Sequence, residues 1–223
     1  MKQLIIAIDG PAASGKSTTA KLVAATLGYL HVDTGAMYRA MTLKVLEHKV
    51  DLQDELAIAK LARSTRVRLL PREGGFAVEL DGVDVTDRIR SPRVTSSVSA
   101  VSMVAEVRKL MVREQREMGR RGAIVLEGRD IGSIVFPKAD LKFFMIAKPR
   151  ERAVRRGREL AAKGFETELE ALERELIERD EKDASRPISP LVKADDAIVL
   201  DTTELTIEEQ VEFIVKKAKE KLR

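Results

Sequence analysis

Gly10-Pro11-Ala12-Ala13-Ser14-Gly15-Lys16-Ser17 follows directly on the apolar run Leu4 to Ile8 and leads into a stretch of helical periodicity. A loop of the form G-x-x-x-x-G-K-[ST] between strand and helix has a mechanical purpose. Its glycines let backbone N–H groups converge on phosphate oxygens, and the helix that follows aims its positive dipole end at them. Lys16 is placed to reach the outer phosphates, and the Ser17 hydroxyl is suited to a magnesium ion. Ala20, Val23, Ala24 and Leu27 fall on one face at the helical period, and Gly28 stands where a helix is stopped. The segment therefore reads as strand, phosphate loop and helix, the opening unit of a nucleotide-binding α/β protein.

Working outward, continuous aliphatic runs at Gln3 to Asp9, Leu30 to Val32, Ala123 to Glu127, Leu141 to Ala147 and Ala197 to Asp201 read as buried strands. Such runs alternating with helices predict a parallel sheet covered on both faces. Ligands in such sheets bind beyond the carboxyl ends of the strands. That rule singles out Gly10 to Ser17, Asp33 to Arg39, Gly128 to Gly132 and the residues from Lys148 onward. Between about residues 64 and 90 the period changes to two, with turn signals at Pro71 to Gly75 and at Asp81-Gly82, which predicts a small antiparallel sheet inserted into the α/β chain. Ser91-Pro92 suits a helix start.

Residues 149 to 182 read as two helices divided at Lys163-Gly164-Phe165, the first carrying Arg150, Arg152, Arg155, Arg156 and Arg158. Two helices joined at a glycine, rich in arginine, suit a mobile lid. Thr206-x-x-Glu209 is a capping box that opens the last helix. The expected division is a core of residues 1–40, 91–148 and 183–223, an acceptor-binding region of 41–90 with its inserted sheet near 64–90, and a lid of 149–182.

At 223 residues the chain can bury a core of its own. No apolar run approaches a membrane span, and the apolar start is too short for a secretory signal, so a cytoplasmic location is expected. The absence of cysteine excludes disulfides, thiolate catalysis and cysteine zinc sites, and His31 and His48 are the only histidines. Chemistry here rests on Lys, Arg, Asp, Glu and hydroxyls. A net charge of +4 is too small to argue for nucleic acid. The chain contains no Asn, which excludes the Asn-Lys-x-Asp guanine signature and with it a signalling GTPase. Motor and transport ATPases need longer chains. What remains is a kinase that passes a γ-phosphoryl group to a small acceptor. The lack of Asn and the wealth of Lys, Arg and Glu also resemble the balance of heat-adapted proteins.

Three further runs narrow the acceptor: Asp33-Thr34-Gly35-Ala36-Met37-Tyr38-Arg39, Glu127-Gly128-Arg129-Asp130-Ile131-Gly132-Ser133-Ile134-Val135-Phe136-Pro137, and Arg179-Asp180-Glu181-Lys182-Asp183-Ala184-Ser185-Arg186. Together with the phosphate loop they resemble the bacterial cytidylate kinase family from the first strand to the last helix. The resemblance implies an α/β fold with a five-stranded parallel core sheet, an acceptor-binding insertion and a helical lid, and phosphoryl transfer from ATP with Mg2+ to CMP or dCMP.

It implies that Gly10, Pro11, Ala12, Ala13, Ser14, Gly15, Lys16, Ser17 and Thr18 hold ATP with Arg155 and Arg156, and that Ser17 holds the metal. Lys16, Arg129, Arg186 and Arg155 become the catalytic cations. Thr34, Arg39, Ser99, Arg108, Arg129, Asp130, Arg179, Asp183 and Arg186 become the acceptor site. Cytosine supports this chemically, because its exocyclic amine needs an acceptor such as Asp130 and its other edge needs donors, which similarity assigns to Arg108 and Ser99. Arginine also matches phosphate geometry where lysine does not.

Ala12-Ala13-Ser14-Gly15 departs from the more usual Ser-Gly-Ala-Gly, and Gly157 stands where a bulkier residue is usual. A monomer that needs neither nucleic acid nor membrane is expected. The rival readings are a kinase of another small acceptor, such as UMP or shikimate, and a nucleic-acid-stimulated ATPase suggested by the basic, arginine-rich helix.

Overall fold

In the computed structural model, residues 3–72, 75–162 and 164–223 are described. Five strands form one sheet in the order β2 (Leu30–Asp33), β6 (Ile124–Gly128), β1 (Ile5–Asp9), β7 (Leu141–Ile146), β8 (Ile198–Asp201). The chain divides into two units, Met1–Tyr29 with Ala123–Arg223, and Leu30–Gly122.

In the first unit β1 is central, because Ile6, Ala7 and Ile8 are wholly buried and have no face for water. It pairs in parallel with β6, from Ile5 opposite Ile124 to Asp9 opposite Gly128, and with β7, from Ile6 opposite Leu141 to Asp9 opposite Phe144. β7 continues the sheet to β8 in parallel register. The connection from β1 leaves toward β2 and that from β7 toward β8, in opposite directions, so the carboxyl ends of these two strands mark the place where such sheets bind ligands.

Helices α1 (Lys16–Leu27) and α8 (Ile207–Leu222) cover the sheet through Ala20, Val23, Ala24, Ile214, Val215 and Ala218, packed on Ile6, Ile8, Phe143 and Met145. Gly28 stops α1 in the left-handed conformation, and the Thr206 and Glu209 capping box opens α8, both as the sequence predicts. Helices α6 (Pro149–Ala161) and α7 (Leu169–Ala184) share a small cluster of Ala153, Leu172 and Leu176, against which Ala12 and Ala13 of the phosphate loop pack.

The second unit holds α2 (Thr34–Glu47), α3 (Glu55–Arg63), α4 (Pro92–Met103), α5 (Ala105–Met118) and an antiparallel sheet of β3 (Val67–Arg72), β4 (Gly75–Leu80) and β5 (Val83–Asp84). Met37, Met41, Ile58, Val78, Ile89, Val107 and Met111 form its core. Ser91 caps α4 with Pro92 at its first position, again as expected. The Asp81-Gly82 turn is tied down by the Asp81 carboxylate, which accepts from Arg66 N at 2.8 Å and from Lys44 Nζ at 2.6 Å.

Of the expected Pro71 to Gly75 turn, residues 73 and 74 lie outside the described residues, as does Lys163 of the expected break between the lid helices. Two features went unread: the boundary between α4 and α5 at the extended residue Val104, and a single π-helical turn at Ile131–Val135. No helix among the described residues is long and apolar enough to cross a membrane.

Candidate active site

Gly10 has φ 151°, and a Cβ there would stand 2.2 Å from the Met145 carbonyl oxygen, so only glycine lets β1 pass into the loop. Gly15, at φ 90°, opens α1 without any side-chain cap, and the first turn of α1 carries no acidic residue. Its first N–H groups are therefore presented to an anion. Ala13 adopts φ 57°, a conformation costing an L-residue about 1–2 kcal/mol. Its methyl group packs against the cluster of Ala153, Leu172 and Leu176, which offsets part of that strain.

Lys16 is buried and donates to the Pro11 carbonyl oxygen at 2.7 Å, folded back over the loop. The buried Ser14 hydroxyl has no hydrogen-bond partner among the described residues, as suits a group built to meet a ligand. Ser17 Oγ donates to the Glu127 carboxylate, which is buried near the end of β6. Among the described residues no three His, Cys, Asp or Glu side chains gather into a metal cage. Magnesium keeps several waters and takes phosphate oxygens with one or two protein oxygens, so the Ser17 hydroxyl beside Glu127 is a donor set that fits it.

Asp9 went unread in the sequence, and its only signal was its place at the strand end before the loop. It is 5% exposed, and its two oxygens accept from Ile131 N at 2.8 Å and Gly132 N at 2.7 Å. It thereby fastens the residues directly after Asp130. Burial pushes the Asp9 carboxyl up to about 6, with Asp130 adding to the rise while the two N–H groups and Lys16 oppose it. Asp130 itself is buried, and its carbonyl oxygen accepts from Ile134 N and Val135 N to close the π-helical turn.

Asp183 unites two of the expected arginines. One oxygen accepts from Arg129 Nε at 2.8 Å and the other from an Arg186 guanidinium nitrogen. Burial alone would raise its pKa, but Arg129, Arg186 and Arg179 together hold it below the usual carboxylate range. Arg179 lies one turn before Asp183 on α7. On α6, Arg155 donates to Thr202 Oγ1 at 3.1 Å and to the Thr202 carbonyl oxygen at 2.6 Å, while Arg156 pairs with Glu159. Arg152 is buried between the Ala12 carbonyl oxygen and Asp180. Arg150 pairs at the surface with Glu170 and Glu173, and Arg158 is exposed.

The second unit holds the other expected residues. Asp33 caps α2, accepting from Ala36 N at 3.0 Å and from Arg39 at 2.7 Å, so the N-cap also aims the arginine. Burial works to raise the Asp33 pKa, but Arg39, Arg90, the Ala36 N–H and His31 hold it low. Thr34 is buried at the start of α2. Arg108 is buried on α5, donates to the Ser102 carbonyl oxygen at 3.2 Å and lies 5.3 Å from the Tyr38 ring centre. Ser99 is half-buried on α4.

Comparison with known proteins agrees with these motifs. The family model described as cytidylate kinase matches residues 6–220. The cytidylate kinase of Bacillus pumilus (strain SAFR-032) is 50% identical over 208 residues, covering 93% of this chain and 92% of that one. That of Desulforamulus reducens is 49% identical over 210 residues, covering 94% of each. A shikimate kinase from Bacteroides thetaiotaomicron has a TM-score of 0.50 at 14% identity over 99% of both chains, and a protein from Eubacterium ventriosum one of 0.54 at 12% identity over 97% of this chain and 99% of that one. Both share the fold alone. With a family match that runs from the first strand to the last helix and relatives identical at about half of all positions, this chain belongs to the cytidylate kinase family.

Proposed function

We propose that this protein transfers the γ-phosphoryl group of ATP to CMP and dCMP, giving ADP and CDP or dCDP. The observation that carries the reading is the register of β1 on β6. Asp9 stands opposite Gly128, so the phosphate loop and the Gly128-Arg129-Asp130 turn leave adjacent strands side by side. The bond from Ser17 to Glu127 ties the first turn of α1 to the end of β6.

Phosphoryl transfer through a loose transition state is accelerated by positioning and charge neutralisation, and needs no obligatory base. Gly10 and the residues from Ala12 to Thr18 present N–H groups to the donor phosphates, and Lys16 leaves the Pro11 carbonyl to meet their charge. Ser17, with Glu127 behind it, would hold magnesium, which when bound neutralises phosphate charge. Arg129 and Arg186, pre-aimed by Asp183, grip the acceptor phosphate with Arg39. Arg155 and Arg156 supply lid cations. Thr34, Arg179 and Asp183 serve the acceptor nucleotide. Asp130 accepts from the cytosine amine, while Arg108 and Ser99 donate to its other edge.

Uracil presents an oxygen where cytosine has its amine and would face Asp130 lone pair to lone pair. Such a buried mismatch costs about 1–3 kcal/mol. Asp130→Ala is therefore expected to lower kcat/KM for CMP about tenfold or more while the Kd for ATP stays within about twofold. Equal losses of acceptor and ATP affinity would show that Asp130 does not read the base.

A further inference from the structure

We propose that Gln210 is a positioning residue for the donor phosphate loop, holding the turn from Gly15 into α1 in the shape that receives phosphate. This rests on the reading that Gly10 to Ser17 bind the donor, and it is independent of which acceptor the enzyme uses.

Gln210 lies in the first turns of α8 and is fully buried. Both ends of its amide are used. Oε1 accepts from Thr19 Oγ1 at 2.7 Å, and Nε2 donates to the Leu205 carbonyl oxygen at 3.0 Å. Thr19, also fully buried, stands on α1 two residues after Ser17. The same Oε1 lies 3.1 Å from where a Cβ on Gly15 would stand, so the amide packs directly beneath that glycine. One side chain thus braces the residue before Lys16 and the helical turn after Ser17.

The stretch that leads into α8 makes a second contact of the same kind. Thr202 Oγ1, fully buried, donates toward the Ser14 carbonyl oxygen at 2.9 Å. Arg155 grips Thr202 in turn from α6.

A helix-end bond would need only Nε2 and Leu205; the close approach to Gly15 and Thr19 goes beyond it. The chemistry also asks for a neutral group. A carboxylate of the same shape would oppose the Leu205 carbonyl oxygen and set a negative charge beneath N–H groups that serve an anion.

The test is the Kd for ATP measured by calorimetry without acceptor, together with KM for each substrate and the melting temperature, for Gln210→Glu, Gln210→Met and Thr19→Val. Gln210→Glu is expected to weaken ATP binding about tenfold with acceptor KM within about twofold. Gln210→Met is expected to weaken ATP binding less, and its combination with Thr19→Val to fall short of additivity. Unchanged ATP affinity in these variants, whatever happens to the melting temperature, would overturn the proposal. So would donor and acceptor KM rising together. If Gln210→Glu does not fold, the Kd of Gln210→Met decides. Because ATP binding is read without acceptor, an error about CMP leaves this result legible.

Discussion

Burying a carboxylate at the end of β1 runs against its preference for water, and Asp9 bears that cost in order to hold two N–H groups of the turn after Asp130. With its pKa raised to about 6, the folded chain keeps a proton on Asp9 that the unfolded chain has already lost above the ordinary value of 3.8. Stability therefore falls as pH rises through this window, by about 3 kcal/mol in total at 1.4 kcal/mol per pKa unit. Asp183 behaves oppositely. Its arginines hold its pKa below the ordinary range, so its contribution is complete above that range and is lost only in stronger acid. The two windows do not overlap. Asp9→Asn is expected to remove about 2 kcal/mol of fall in stability between pH 4.5 and 6.5, read from denaturant unfolding at several pH values. Equal slopes in the two proteins would show that Asp9 is ionised in both states.

At the scale of elements, the strands, the α1 and α8 boundaries and the inserted sheet were legible because each is a local matter of period and punctuation. The Val104 break was not, since a β-branched residue in extended conformation carries no glycine or proline signal. In the candidate site, Lys16, Ser17, Arg129, Asp130 and Arg186 stand in short motifs that the sequence shows directly. Asp9, Thr202 and Gln210 could not, because their partners Ile131, Ser14 and Thr19 lie more than a hundred residues away in the chain. α6 offers a test of local reasoning. Gly157 lies in its interior, and a Cβ there would meet only Leu172 at 3.6 Å, an ordinary contact. Gly157→Ala is expected to raise stability by about 0.5–1 kcal/mol, seen as a higher melting temperature. A lower one would mean that α6 needs the glycine for its packing or motion.

For the molecule as a whole, an excess of 40 basic over 36 acidic side chains matters less than their placement. Arg150, Arg152, Arg155 and Arg156 each face a carboxylate. The surface pairs of Arg150 and Arg156 contribute little to stability, whereas the pair of buried Arg152 with Asp180 is costly to break.

The account as a whole stands on selection of an aminated pyrimidine by Asp130. The direct measurement is ADP release with ATP and a panel of nucleoside monophosphates. CMP and dCMP are expected to give kcat/KM about 10- to 100-fold above UMP, in line with an unsatisfied polar pair of 1–3 kcal/mol. Faster turnover of UMP or AMP than of CMP would contradict it.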